Sequence, residues 1–318
     1  MASPIKEPIE RYGLSKRSRN KTLFSKIGVV GCGKDGSVIA TVAATHGMEV
    51  VFLEPTTEQI ANSFRRIEDK LDRRIKGWGL TENEKKVIMS RIKGTMDFSD
   101  FTGCDFVIEA IRYNTLTGER GVAERKEVFK KLEDILAPDA IIASNVTTVI
   151  VSDLASELDY KSRAIGLHFL SNMAESQIIE IVRGLETSDE TYDKVCKFAR
   201  LINYQYVPVA ESSGLVSIRL FLIQLNEACS MLMEGIASTE DIDRIMNVGF
   251  GHRQGLFRIA DKLGIEKVVK LMENLYDEYG HVKYKPSPML LRMYRAKHLG
   301  VNTGRGFYTY DELGNIVK

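Results

Sequence analysis

Cysteine is scarce and scattered: the 318 residues hold four, Cys32, Cys104, Cys196 and Cys229, with no C-x-x-C pair among them. Such spacing speaks against a zinc knuckle or a secreted disulfide framework and suits a reducing compartment, so a cytoplasmic setting is expected. An excess of either charge is missing too. The 44 basic and 43 acidic side chains leave a formal net charge of +1, which supplies no global field for gripping nucleic acid. No uninterrupted apolar run reaches the roughly 18 residues that a bilayer-spanning helix needs. Residues 214–233 come nearest, but Arg219, Gln224, Asn226 and Glu227 interrupt them, so a buried helix and no membrane partner are expected. The first 25 residues carry no apolar leader core. They mix Lys16, Arg17, Arg19 and Lys21 with Glu7, Glu10, Pro4 and Pro8, and read as a loose tail or packing arm.

What is present is ordinary for a soluble globular chain: 44% hydrophobic and 27% charged residues, with length enough for about two domains. The apolar run Ile27-Gly28-Val29-Val30 leads into Gly31-Cys32-Gly33-Lys34-Asp35-Gly36. An alanine-rich helical stretch follows from Ser37 to His46, then a strand Val50–Leu53 that ends on Glu54. Strand, G-x-G-x-x-G, helix, strand and acid in this order form a dinucleotide-binding fingerprint. Gly31 makes the tight turn, Gly33 lets the backbone approach a pyrophosphate, and Gly36 lets the helix pack on its strand. Lys34 and Asp35 complete the loop at the helix N-terminus, whose free N–H groups and dipole favour phosphate. Glu54 would accept hydrogen bonds from an adenosine ribose and repel a 2′-phosphate, so NAD is expected rather than NADP.

Alternation continues with strands at 105–111, 140–144, 163–168, 177–182 and 204–209. Helical segments lie at 123–136, 151–158 and 188–201, an arrangement that predicts a doubly wound α/β sheet. After Glu211 the pattern turns wholly helical, with Ser238-Thr239-Glu240-Asp241 as a capped helix start. The expected organisation is an N-terminal extension over 1–25, a sheet domain over 26–210 and a helical domain over 211–318. His168 closes one strand and Glu180 sits inside the next, apolar one. A carboxylate is costly to bury without a partner. Paired with an imidazole, it would fix the ring tautomer and raise the basicity of the other nitrogen.

The order and spacing of several motifs make the chain resemble the L-3-hydroxyacyl-CoA dehydrogenase family, especially its 3-hydroxybutyryl-CoA members, from about Ser25 to Tyr310. They are 28–36, Ile92–Thr95, Asp105–Ile111 (with Ala110), Ala143-Ser144-Asn145, Gly166–Phe169, Ile179–Gly184 and Thr303–Tyr308. The resemblance implies an α/β Rossmann-like NAD-binding domain followed by an all-α C-terminal dimerisation domain, a homodimer, and NAD-linked oxidation of an acyl-CoA. His168 and Glu180 match the family's catalytic pair, and Thr147 stands where the family has a substrate-contacting serine. Ala110, Tyr113 and Asn145 fall at cofactor-facing positions, Tyr113 in place of a glutamate. Arg73 aligns with a CoA-contacting lysine, within a basic helix face that includes Arg66 and Lys70. The chain departs from the family at Asn172, where H-F-F-N-P becomes His168-Phe169-Leu170-Ser171-Asn172. It departs again at Ile218, which replaces a catalytic asparagine at the substrate, and around 115–124, which reads as an insertion. Two alternatives stay open on these departures: a dehydrogenase of a free or differently activated 3-hydroxy acid, and a low-activity NAD-binding relative.

Overall fold

The computed structural model describes residues 24–111, 121–145, 147–170 and 176–317. Strand β1 (Lys26–Val30), helix α1 (Lys34–Thr45) and strand β2 (Glu49–Leu53) form the first βαβ unit. A helical hairpin follows, its buried residues Ile67, Leu71 and Ile88 joining the sheet core: α2 (Thr57–Lys76), capped by Thr56, and α3 (Glu82–Met89), opened by a reciprocal Thr81–Glu84 capping box. Next come β3 (Ile92–Thr95), β4 (Phe106–Glu109), α4 (Val122–Ile135), β5 (Ile141–Ser144), α5 (Val151–Leu154) and β6 (Ala164–Phe169). The unit ends with β7 (Ile178–Arg183), α6 (Asp189–Leu201) and β8 (Gln205–Ala210).

These strands make one sheet in the order β3-β2-β1-β4-β5-β6-β7-β8. The first six run in the doubly wound dinucleotide-binding order, and the crevice between β1 and β4 is its topological switch point. The near-continuous apolar runs of β1, β4 and β5 follow from burial on both faces. Strand β7 reverses direction against β6, and their register sets His168 directly opposite Glu180. The predicted helix start at Ser37 falls three residues late, because Gly33 is the N-cap and Lys34 and Asp35 already lie in the first turn. Phe24, assigned by sequence to the N-terminal extension, belongs to the sheet domain. Its ring is buried 5.6 Å from that of Phe106 and 5.5 Å from that of Phe198.

Beyond the sheet, α7 (Leu215–Met233), α8 (Thr239–Arg244), α9 (Leu256–Leu263), α10 (Ile265–Tyr279) and α11 (Pro288–Arg295) share a separate core. Ser238 caps α8 as its sequence suggests, accepting from the Asp241 N–H at 3.1 Å. The expectation of an entirely helical end is corrected at residues 300–316, where short bridges join Gly300 to Arg305, Arg305 to Thr309 and Tyr310 to Ile316. The cause is Asp261. Its buried carboxylate accepts from the Phe307 and Tyr308 N–H groups at 2.9 and 3.0 Å and from the Tyr310 hydroxyl at 2.9 Å. Backbone donors satisfied by a carboxylate have no need of a helix.

Candidate active site

The glycine loop takes the shape its residues require. Gly31 has φ +87°, and a Cβ there would press on the backbone of Ala110 and Ile111 at 3.1 Å. A Cβ on Gly36 would stand 2.0 Å from the Gly31 carbonyl oxygen, so α1 can begin this close to β1 only with glycine. Gly33 supplies no side chain to cap α1, which leaves the helix N-terminus to a ligand at the switch point. Ala110 sits across the crevice, its N–H bonded to the Val30 carbonyl at 2.8 Å. Glu54 is buried at the end of β2, and its Oε1 accepts from the Cys32 N–H at 2.7 Å. The carboxylate therefore shapes the loop. Burial, together with the nearby Glu54 charge, pushes the Cys32 thiol up to about 12, so it is an inert neighbour. Lys34 and Asp35 reach to the helical part: Lys34 Nζ donates to Asn302 Oδ1 at 3.1 Å, and Asp35 Oδ2 lies 3.5 Å from Lys267 Nζ.

The same C-terminal edge of the sheet carries a second group of residues. His168 Nδ1 lies 2.7 Å from Glu180 Oε2, and both side chains are almost fully buried. Cross-strand partners in an antiparallel pair share one face, so the register alone brings imidazole and carboxylate together. Glu180 does more than orient the ring. Its Oε1 accepts from the N–H groups of Val216 and Ser217 at 3.0 and 2.9 Å, in the first turn of α7. Gly214, the N-cap of that helix, adopts a left-handed conformation and offers no side-chain cap. The carboxylate of one domain thus caps a helix of the other. Burial alone would push the Glu180 carboxyl up. The donors His168 and Ser217 outweigh it and hold the group below the ordinary carboxylate range.

Other expected site residues are placed less uniformly. Asn145 Oδ1 accepts from the Phe169 N–H at 3.1 Å, so this side chain ties the end of β5 to the residue after His168. The Thr147 carbonyl accepts from Gly214 N–H at 2.6 Å, which holds the Thr147 loop at the domain junction. Arg73 is exposed on α2, on the helix face that carries Arg66 and Lys70. Burial and then the like charge of Arg73 lower the Lys70 ammonium below its usual range, and Arg66 adds to this. Ile218 is 2% exposed and packs in the core of the helical domain. Tyr113 and Asn172 lie outside the described residues.

Sequence reasoning missed two participants. Glu109, fully buried at the end of β4, accepts from Arg125 Nη1 at 2.5 Å, from Ile111 N–H at 2.5 Å and from the Ser144 hydroxyl. It locks the crevice-side ends of β4 and β5 to the start of α4. A charged residue closing the apolar run 106–108, with an arginine on the following helix, was the available signal. Ser217 is the other: its Oγ donates to Glu180 Oε2 at 2.7 Å. A lone serine in an apolar helix gives no such signal.

Comparison with known proteins agrees with this architecture. The family described as 3-hydroxyacyl-CoA dehydrogenase, NAD binding domain, matches residues 26–212, and 3-hydroxyacyl-CoA dehydrogenase, C-terminal domain, matches residues 214–310. The chain is 35% identical over 285 residues to a probable 3-hydroxybutyryl-CoA dehydrogenase of Deinococcus radiodurans, covering 90% of this chain and 100% of the relative. Among solved structures it resembles (S)-3-hydroxybutyryl-CoA dehydrogenase PaaH1 from Ralstonia eutropha, with TM-score 0.80, 33% identity, and coverage of 91% and 100% of the two chains. It also resembles FadB2 of M. tuberculosis, with TM-score 0.84, 32% identity, and coverage of 91% and 99%.

Proposed function

The chain belongs to the 3-hydroxyacyl-CoA dehydrogenase family of NAD-dependent oxidoreductases, and from that premise we propose a short-chain 3-hydroxyacyl-CoA as its substrate and His168 as the base. The observation that carries the reading is the buried His168–Glu180 pair, 2.7 Å apart on the same sheet edge as the glycine loop. Ionised Glu180 accepts from Nδ1–H, which leaves Nε2 to take the proton of the substrate's C3 hydroxyl in oxidation and to return it in reduction. The imidazolium formed in this way is stabilised by a carboxylate that needs no rearrangement.

The glycine loop fits NAD: the Gly31 and Gly36 cradle has no room for side chains, α1 begins without a side-chain cap, and Glu54 stands where a 2′-phosphate would be repelled. NAD bound there supplies the hydride acceptor. Gly33, Lys34 and Asp35 line its phosphate end, while Ala110 and Asn145 border the strand ends toward the nicotinamide. Thr147 offers a hydroxyl to the reacting oxygen, and Arg73, Arg66 and Lys70 offer a basic face to CoA phosphates. The short-chain preference rests on the 3-hydroxybutyryl-CoA activity named for the Deinococcus radiodurans and Ralstonia eutropha relatives.

The test is reduced-nicotinamide absorbance across 3-hydroxyacyl-CoAs of rising chain length, with free 3-hydroxy acids alongside. Turnover should be best with the four-carbon thioester. His168→Ala should cut it by about 10²–10⁴-fold, the usual share of a general base, while the calorimetric affinity for NAD stays unchanged. Equal turnover of the free acids would overturn the thioester assignment. Retained activity in His168→Ala would overturn the base.

A further inference from the structure

Both oxygens of Glu180 are engaged, and the partner nearest the imidazole comes from the other domain. Oε2 is shared between His168 Nδ1 and Ser217 Oγ, each at 2.7 Å, while Oε1 takes the two backbone N–H groups of α7. The Ser217 hydroxyl is thus the only side-chain donor of the helical domain among the described contacts of this carboxylate. Its position is fixed by the helix it starts, and the preceding turn holds it there, since Gly214 N–H is bonded to the Thr147 carbonyl.

We propose that Ser217 is a positioning residue of the reaction: by donating to the oxygen that faces the imidazole, it fixes the carboxylate rotamer and draws charge away from the ring. The inference rests on His168 being the base. A carboxylate oxygen with two donors spreads its charge over both, so the imidazolium gains less from it than from an oxygen it holds alone. Removing the hydroxyl concentrates that charge on the ring and makes the pair a stronger, earlier-protonated base. Ile218, the next residue, faces the core and offers no replacement donor.

Other charged and titratable groups on the elements packed around the pair are already held elsewhere. Arg183, at the end of β7, pairs with Asp189 and lies over the Tyr192 ring. Tyr206 on β8 accepts from Arg200, and Glu211 accepts from Ser152. Arg219 on α7 donates to Tyr284 and lies over the Tyr279 ring. The pH dependence of the pair is therefore the place where loss of Ser217 registers.

The experiment is the pH profile of kcat for 3-hydroxyacyl-CoA oxidation by wild type, Ser217→Ala and Ser217→Thr. Ser217→Ala should move the apparent midpoint upward by about 0.5–1 pH unit, the scale of one hydrogen bond to a charged group divided between two acceptor states. KM should hold, and Ser217→Thr, which keeps the hydroxyl, should restore the wild-type profile. A Ser217→Ala profile that overlays the wild type, or a uniform loss of kcat that Ser217→Thr does not repair, would overturn the proposal. The ring nitrogen resonances of His168, titrated in protein labelled with 15N-histidine, give the same answer without turnover. An unmoved titration there refutes Ser217 even where Ser217→Ala folds poorly in the assay. Activity that survives His168→Ala would instead refute the premise, so the two failures are told apart.

Discussion

A single methyl group at residue 36 tests the dinucleotide loop more sharply than any charge change. The Cβ of Gly36→Ala would stand 2.0 Å from the backbone oxygen of Gly31, and backbone cannot swing away as a long side chain can. Either α1 moves off β1 or the Gly31 turn opens, and both displace the N–H groups that face phosphate. NAD affinity by calorimetric titration should fall more than tenfold, with a lower melting temperature. An unchanged dissociation constant would mean the loop does not carry the phosphates. Residues of this kind were legible in the sequence because their partners are close along the chain and the fingerprint is local. His168 and Glu180 were legible for a related reason: each stands out chemically in an apolar strand, and two neighbouring strands leave few ways to pair them. Ser217 and the Glu109–Arg125 pair were not, because their roles exist only once separate elements meet.

Elements tell a similar story, with boundaries decided by contacts between them. Helix α7 has no cap of its own, and its orphan N–H groups are met by Glu180 from β7. The long apolar run made the helix predictable, whereas the partner at its N-terminus depended on how the two domains dock. This cap has a testable pH signature. The folded-state carboxyl of Glu180 lies below its ordinary value of 4.5, so the protons it binds on unfolding make the cap stabilising above that value. The contribution is lost as the pH falls through the lower folded-state value. Glu180→Gln keeps the volume but loses the charge, and should cost about 1–2 kcal/mol at pH 7, the range of a lost N-cap. The gap between variant and wild type, followed by urea denaturation, should close as the pH falls from 4.5 through the lower folded-state value. A gap independent of pH would mean that the charge of Glu180 is not what holds α7.

At the scale of the whole molecule, the helical domain exposes several large apolar side chains. Helix α7 is long and apolar enough to cross a membrane by length and composition alone, yet Ile218, Phe221, Leu222, Leu225 and Cys229 are spent on the helical core. Its other side exposes Val216 and Leu220, and the segment after α8 exposes Ile245, Val248 and Phe250, the last two at 82% and 72%. Large apolar side chains gathered on one domain mark an interface more often than a solvent surface. A net charge of +1 puts no repulsion between two copies. A second copy meeting this face would bury it by two-fold symmetry, the commonest closed arrangement, and a stable contact of this type buries about 800 Å² per partner. Light scattering at micromolar concentration should therefore give twice the 35.8 kDa chain mass. The double substitution Val248→Asp with Phe250→Asp should give monomer with unchanged helical circular dichroism, because a charge on each side of the axis meets its own copy. A wild-type monomer defeats the homodimer. A wild-type dimer that survives both aspartates moves the interface off this face and onto another surface of the chain.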